Sequence, residues 1–266
     1  MKTFKQYFLT EGKQKGFEYE KNAARELKKY DVVPANFTPA GSGSSKPDLM
    51  IQKPGGKPAG CELKITNITA GSLVIHREDG IWKLGDTFKI IEGEEVPHEE
   101  KVVVEKMAKK HKIMKKINET WTAKSKKFDV KSKLSNQQQY ERAHATFKEL
   151  KGTIDATTVT SYYNAKNTYY FNVGTHGLFL LGGTNPLKLK GLTKFADSAR
   201  CWYRARVQKK SSAYYQFVLE LYFSILRGSK SSYNIAPLPN AKTVKIDTRS
   251  DIFHDTLRDL FGVEKK

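Results

Sequence analysis

Apolar positions near the start of the chain change from helical spacing to the spacing of short strands. Residues 15–30 have a helical pattern. Residues 47–52 and 60–65 are short apolar segments, and the sequence PGGKPAG between them is rich in turn-forming residues. More strand-like sequence follows at residues 72–76. The pattern predicts a helix, then a hairpin of two strands, then a further strand.

The middle of the chain is rich in lysine. Twelve lysines lie between residues 101 and 133, where there are only three acidic residues. Residues 135–151 have helical character, and Gly152 follows them. The lysine-rich segment suits a surface that follows nucleic-acid phosphates, and the alternative is an ordinary solvated helix face. The candidate phosphate-binding residues are Lys109, Lys110, Lys115 and Lys116.

The second half of the chain is richer in aromatic residues and in predicted strands. The segments YYFNV (169–173) and LFLLGG, joined by a GTHG turn, predict one hairpin. Residues 199–208 and the apolar run at 213–226 predict another pair of strands. The segment TRSDIFHDTLRDLFG predicts a short helix that ends at Gly262.

A change in character near residues 152–165 divides the chain. The sequence before it is helical and lysine-rich, and the sequence after it is aromatic and strand-rich. We expect residues 1–155 to form an α/β core that includes the lysine-rich segment. We expect residues 156–266 to form a strand-rich α+β extension, either separate or packed with the core as one domain.

The amino-acid composition indicates the kind of partner that the chain binds. The chain has 266 residues, and 38% of them are hydrophobic, including 14 Phe and 13 Tyr, so a sizeable core is expected. The net charge is +19 and the pI is about 9.7. An excess of this size favours a polyanionic partner, most often nucleic acid, over a chain that is merely rich in lysine.

Several classes of protein are disfavoured by the same sequence. No apolar run reaches the length of a membrane-spanning helix, and the N-terminal segment has no long apolar stretch typical of a signal peptide. Two cysteines, Cys61 and Cys201, are too few for a disulfide framework, so we expect a cytoplasmic setting. The six histidines are scattered, and PGGKPAG lacks the phosphate-binding loop pattern, so no nucleotide cofactor is expected.

Charged residues at the ends of the predicted hairpin form the clearest candidate site. Glu62 and Lys64 point to one face of their strand, and Asp48 begins the strand opposite. Two neighbouring carboxylates repel each other unless a cation neutralises them, and oxygen ligands suit Mg²⁺. An adjacent lysine can stabilise charge that develops on a phosphoryl group. The pattern favours phosphodiester cleavage, and the alternative is a surface hairpin with an ordinary cross-strand ion pair.

The preceding helix contributes a further acid. Glu20 lies on the apolar stripe marked by Ala23, Ala24 and Leu27, whereas Glu18 lies on the polar face. A carboxylate on a buried stripe is costly unless a charged group meets it, which favours a place for Glu20 in the same site. The alternative is a glutamate at the edge of the stripe that reaches solvent.

Together these features resemble the PD-(D/E)XK nuclease superfamily, over about a fifth of the chain. The shared pattern is a helix with a glutamate, a strand with Pro-Asp, and a strand with Glu-x-Lys. Within the superfamily the segment is most similar to archaeal Holliday junction resolvases. The matching positions are Lys15-Gly16, Glu20, Ala40-Gly41-Ser42, Pro47-Asp48, and Glu62 with Lys64. The opening MKTFKQYFLTEG also resembles N-termini common in tailed-phage proteins.

The resemblance implies a restriction-endonuclease-like core, in which a mixed sheet is flanked by helices. Asp48 and Glu62 would be ligands of Mg²⁺, for which Mn²⁺ can substitute, and the carbonyl of Leu63 would be a third ligand. Lys64 would be the catalytic lysine, and Glu20 an outer ligand or a water-orienting acid. Either Ser42 or Ser44 would contact the scissile phosphate.

The segment ARCWYRARVQ is the candidate DNA-recognition element. As a strand it would bury the side chains at 201, 203, 205 and 207 and would expose Arg200, Trp202, Arg204 and Arg206. Arginine can pair with phosphates or guanine edges, and tryptophan can stack on an unpaired base or pack on a sugar. The alternative is an edge strand whose positive charges protect it from aggregation.

The function expected from the sequence is therefore that of a Mg²⁺-dependent DNA endonuclease. The large second half favours duplex cleavage of the restriction-endonuclease type over resolution of junctions. The alternatives are a structure-specific, Holliday-junction-like resolvase and a non-catalytic nucleic-acid-binding or virion-associated protein. The expected partners are DNA and a second copy of the chain in a homodimer, with no membrane.

Overall fold

The computed structural model describes residues 4–39, 45–66, 69–91, 94–128, 135–209 and 215–263. They divide into two compact units, and each unit draws on separate parts of the sequence. Unit 1 is formed within Met1–Ile68, Tyr163–Arg200 and Ser224–Lys266, and unit 2 within Thr69–Tyr162 and Cys201–Phe223. The boundary expected between residues 155 and 156 falls inside unit 2.

The elements follow the predicted order for most of the chain. The strands are β1 (Leu49–Ile51), β2 (Ala59–Lys64), β3 (Thr69–Glu78), β4 (Ile81–Leu84), β5 (Phe88–Ile91), β6 (Glu94–Pro97), β7 (Leu150–Ile154), β8 (Thr168–Val173), β9 (Gly177–Leu180), β10 (Thr193–Lys194), β11 (Ala199–Gln208) and β12 (Gln216–Ile225). The helices are α1 (Phe4–Lys28), α2 (Glu99–Lys110), α3 (Ile113–Phe128), α4 (Asn136–Thr146), α5 (Ala156–Asn164), α6 (Phe195–Ser198) and α7 (Asp251–Thr256), which continues into a π-helical turn, Leu257–Phe261.

Unit 1 contains a mixed sheet in the order β1-β2-β8-β9-β10. Strands β1 and β2 form the predicted antiparallel hairpin, with Leu49 opposite Cys61. Strand β2 runs parallel to β8, which pairs antiparallel with β9 as the second predicted hairpin. The predicted mixed α/β class is confirmed by this sheet and the helices around it.

Helix α1 packs its apolar stripe into the core of unit 1. Tyr19, Ala23 and Leu27 are fully buried in one cluster with Cys61 and Leu63 of β2. Glu62 and Lys64 alternate with these two residues, so they lie on the other face of the strand. The helix and the hairpin are thereby fixed against each other beside the charged residues.

Unit 2 contains a second sheet in the order β4-β3-β12-β11-β7. Strand β3 pairs antiparallel with β4 and β12, and β7 pairs antiparallel with β11. The core beside this sheet is aromatic, because Trp82, Trp121, Phe147 and Phe217 contact one another, mostly edge to face. Each such pair stabilises the core beyond its buried area, by about 1 kcal/mol.

The helix expected over residues 135–151 is confirmed up to Thr146 and is wrong beyond it. Helix α4 begins at a Ser135 capping box and ends at Thr146. The following residues form β7, in which Leu150 pairs with Ala205 and Ile154 with Cys201. Pairing with a distant strand therefore overrides the local helical tendency. The predicted C-terminal helix is confirmed, and Gly262 ends it in a left-handed conformation with φ of 69°.

Candidate active site

The β1–β2 hairpin places Asp48 beside Glu62. Leu49 pairs with Cys61 in this antiparallel hairpin, so the preceding residue, Asp48, lies opposite the following residue, Glu62. The backbone N–H of Leu63 donates a hydrogen bond of 2.9 Å to Asp48 Oδ2. Both acidic side chains are largely buried, with exposed fractions of 12% for Asp48 and 4% for Glu62. The structure thus brings together the two carboxylates that the sequence proposed as metal ligands.

Lys64 joins the two carboxylates. Its ammonium nitrogen lies 2.5 Å from Glu62 Oε1 and 3.4 Å from Asp48 Oδ2. Burial disfavours the charged lysine, but Asp48 and Glu62 outweigh that effect and raise the pKa of Lys64 well above its ordinary value. The lysine is therefore a fixed positive charge in the site.

Glu20 faces the same cluster from helix α1. Its side chain is buried, and Oε2 has no hydrogen-bond partner among the described residues. Burial first, then the nearby Asp48 carboxylate, raises the pKa of Glu20 to about 8. Glu18 is exposed and accepts a bond from Gln14, so the predicted orientation of the two glutamates is confirmed.

The two hairpin carboxylates differ in how easily they ionise. Burial and the charge of Glu62 raise the pKa of Asp48 to about 6. Burial would also raise the pKa of Glu62, but the Lys64 and Lys166 ammonium groups outweigh it, and that pKa is lowered. Clustered groups with shifted pKa values are typical of functional sites.

Lys166 is a member of the site that the sequence analysis missed. Its Nζ lies 3.3 Å from Glu62 Oε2, and its side chain is 8% exposed. The residue sits in the turn before β8, and the parallel pairing of β8 with β2 brings it to the site. The Nζ atom also lies 5.5 Å from the centre of the buried Tyr163 ring, just ahead of the same turn.

The donor set suits a hard divalent cation. Three carboxylates converge, and one of them has an oxygen without a partner among the described residues, while oxygen ligands are those that Mg²⁺ prefers. Within the described ranges, no group of three or more His, Cys, Asp or Glu side chains is already arranged to hold a metal ion. Two lysine ammonium groups supply the positive charge in the arrangement seen here.

The proposed phosphate-binding lysines lie on helices of unit 2. Lys109 and Lys110 end α2, and Lys115 and Lys116 lie in the first turn of α3. All four are exposed, although Lys109 pairs with Glu105 at 3.0 Å and Lys115 approaches Glu119 at 3.9 Å. Exposed pairs of this kind are weak, so these pairs leave both lysines available to a phosphate.

Strand β11 alternates as predicted, but its arginines are not free. Arg204 Nε lies 3.0 Å from Glu220 Oε2, and Arg206 holds both oxygens of Glu220 at 2.7 and 3.1 Å. Trp202 stacks on Tyr222 with ring centres 4.7 Å apart. The expectation of an openly exposed arginine face is wrong at Arg204 and Arg206, because both side chains bond to the buried Glu220 of the neighbouring strand and are only 23% and 27% exposed. Of the four residues of ARCWYRARVQ proposed to bind DNA, only Arg200 is exposed.

Ser42 and Ser44 lie outside the described residues, and a contact of the Leu63 carbonyl with a metal stays a prediction.

The described helices include none long and apolar enough to span a membrane. Comparisons with protein-family models, curated proteins and solved structures give no match to this chain. The functional argument therefore depends on the geometry of the site.

Proposed function

We propose that the protein is a Mg²⁺-dependent endonuclease that hydrolyses DNA phosphodiester bonds, with duplex cleavage of the restriction-endonuclease type. The observation that carries the proposal is the convergence of Glu20, Asp48, Glu62 and Lys64 from a helix and a hairpin in one buried cluster. The mixed sheet of unit 1, with α1 packed on it, supports assignment to a restriction-endonuclease-like core. The chain's net charge of +19 supports DNA as the partner.

Each residue has a distinct role in the proposed reaction. Asp48 and Glu62 would hold a Mg²⁺ ion, which would supply Lewis-acid activation for the cleavage of the phosphodiester. Lys64 stabilises the negative charge that develops on the phosphoryl group. Glu20 faces the same cluster from helix α1 and would orient the attacking water or act as an outer ligand of the metal.

The alternatives differ in the substrate that they predict. A junction resolvase would cut branched DNA in preference to linear duplex, and a non-catalytic protein would bind DNA without cutting it. The buried cluster favours catalysis, because one oxygen of the buried Glu20 carboxylate has no hydrogen-bond partner among the described residues, and such a group is costly to keep without a use.

Incubation with a panel of substrates separates these functions. Purified protein is mixed with supercoiled plasmid, linear duplex and a four-way junction, each with Mg²⁺ and with EDTA. Cleavage of plasmid and duplex in Mg²⁺ alone is the expected result. Cutting confined to the junction would replace the proposal with the resolvase, and DNA binding without product would support the non-catalytic protein.

Replacing Glu20 by glutamine should lower the cleavage rate by at least about tenfold, as is common when a group that supports a metal ligand is removed. Its exposed neighbour provides the control, because Glu18→Gln removes the same charge from the same helix and should leave the rate unchanged. The measurement is the single-turnover rate of duplex cleavage for the two variants. A wild-type rate in Glu20→Gln would show that Glu20 has no part in the chemistry.

The same pair of variants tests the raised pKa of Glu20 without any substrate. Since this pKa lies at about 8, above the ordinary 4.5, the protonated acid stabilises the metal-free fold at low pH. That contribution declines as the pH rises from about 4.5 to about 8. Glu20→Gln should therefore flatten the pH dependence of unfolding in EDTA, and Glu18→Gln should leave it as in the wild type.

Replacing Lys109, Lys110, Lys115 and Lys116 together by glutamine should weaken DNA binding about equally for all sequences. The slope of log affinity against log salt should fall by about 0.9 for each phosphate that the variant no longer neutralises. Fluorescence anisotropy in EDTA provides the measurement. A matched control removes four exposed lysines of unit 1, namely Lys188, Lys190, Lys242 and Lys245. Equal changes in both variants would show that the lysines of α2 and α3 form an ordinary solvated face and have no special part in binding phosphates.

A further inference from the structure

Glu62 lies between two ammonium groups. Lys64 Nζ is 2.5 Å from Oε1, and Lys166 Nζ is 3.3 Å from Oε2. All three side chains are at least four-fifths buried, since their exposed fractions are 4% for Glu62, 16% for Lys64 and 8% for Lys166. Each oxygen of this carboxylate therefore has its own cation, in a place that solvent hardly reaches.

A carboxylate between two cations is also a feature of two-metal sites. There, two divalent ions about 3.5–4 Å apart stabilise the attacking and leaving oxygens of a phosphoryl transfer. Here one of the two cations beside Glu62 is Lys64, the lysine of the Glu-x-Lys motif. The other is Lys166, which lies in a turn 104 residues after Glu62. Lys166 thus supplies fixed positive charge on the side of Glu62 that faces away from Lys64.

The net charge of the cluster favours one bound divalent ion over two. When a bound cation keeps all three acids ionised, Glu20, Asp48 and Glu62 carry three negative charges, and Lys64 and Lys166 carry two positive charges. One divalent ion would bring the cluster to +1, which the single negative charge of a phosphodiester balances. A second divalent ion would bring the cluster to +3, and like charges repel strongly in a buried site.

We propose that Lys166 takes the place of a second metal ion, so that the site binds one divalent cation per chain. The inference rests on the proposed metal-dependent function and adds the number of ions and the role of a residue outside the motif. Lys166 is a positioning residue in this account, because it acts through Glu62 and holds that carboxylate in its ionised, oriented form.

Counting bound Mn²⁺ in the absence of DNA tests the proposal. Equilibrium dialysis with electron paramagnetic resonance should find one Mn²⁺ per wild-type chain, and Asp48→Asn should abolish that binding. Lys166→Met leaves Glu62 Oε2 without a cation, so a second Mn²⁺ should bind, and the Mg²⁺ dependence of cleavage should become steeper. Lys166→Arg keeps the charge and should stay at one ion. Lys190→Met, an exposed lysine of the same unit, should behave like the wild type.

Two results would overturn the inference while leaving the proposed function intact. One is two Mn²⁺ ions per wild-type chain that both fail to bind in Asp48→Asn. The other is a Lys166→Met protein that binds one Mn²⁺ with wild-type affinity and cleaves at the wild-type rate. If Lys166→Met does not fold, Lys166→Gln replaces it with the same two opposed outcomes. A wild-type chain that binds no Mn²⁺ would contradict the metal-dependent function itself.

Discussion

Replacing Lys64 by methionine should reduce the single-turnover rate of DNA cleavage by at least about 100-fold, the loss typical of removing one fixed donor from a site of developing charge. Methionine keeps the length of the side chain and most of its packing, but it lacks the ammonium group that contacts Asp48 and Glu62. Asp48→Asn should cause a loss of the same size, because it removes a charge that would hold the metal ion.

A lysine of the same hairpin provides the matched control. Lys57 is exposed in the turn between β1 and β2, and Lys57→Met should cut DNA at the wild-type rate. Circular dichroism and thermal unfolding establish that each variant is folded. Wild-type cleavage by either Lys64→Met or Asp48→Asn would remove the hairpin from the chemistry.

Replacing Glu220 by glutamine should lower the free energy of unfolding by about 3 kcal/mol, as expected when one partner of a buried ionic group is removed. The side chain is 3% exposed, and the two arginines that it holds are 23% and 27% exposed. Without the carboxylate, two guanidinium groups would lie side by side with no countercharge from β12. Arg204 would keep its distant contact with Glu149 at 3.9 Å and its packing on the Tyr222 ring.

An exposed ion pair of the same unit serves as the comparison. Glu78→Gln breaks the bond of Glu78 with Lys83 on the β3–β4 hairpin, where solvent screens the charges, and stability should hardly change. Urea unfolding measures both variants. Equal stability of Glu220→Gln and Glu78→Gln would show that the arginines of β11 do not depend on the buried acid.

The acids and the lysine of the hairpin could be predicted because their positions follow from local rules. Turn residues fix where β1 and β2 begin, strand alternation places Glu62 and Lys64 on one face, and helical periodicity separates Glu20 from Glu18. Each of these features can be recognised in one short continuous stretch of sequence. The structure accordingly confirms the hairpin and the orientation of both glutamates.

Long-range pairing explains what the sequence could not show. Lys166 reaches Glu62 only because β8 pairs parallel with β2, and no local signal distinguishes this lysine among the chain's 47 lysines and arginines. Glu220 interrupts an apolar strand, which was a signal that it needs a charged partner, but only the sheet order identifies Arg204 and Arg206. The strand at Leu150 likewise depends on Ala205 opposite it.

Removal and restoration of the metal is the measurement that tests the central claim most directly. Purified wild-type protein is incubated with duplex DNA in Mg²⁺, then with excess EDTA, then with Mg²⁺ restored in excess over the chelator. The account predicts that cleavage products accumulate, stop accumulating, and accumulate again, while Glu62→Gln gives no product at any stage. Product formation that continues in EDTA, or that is undiminished in Glu62→Gln, would contradict it.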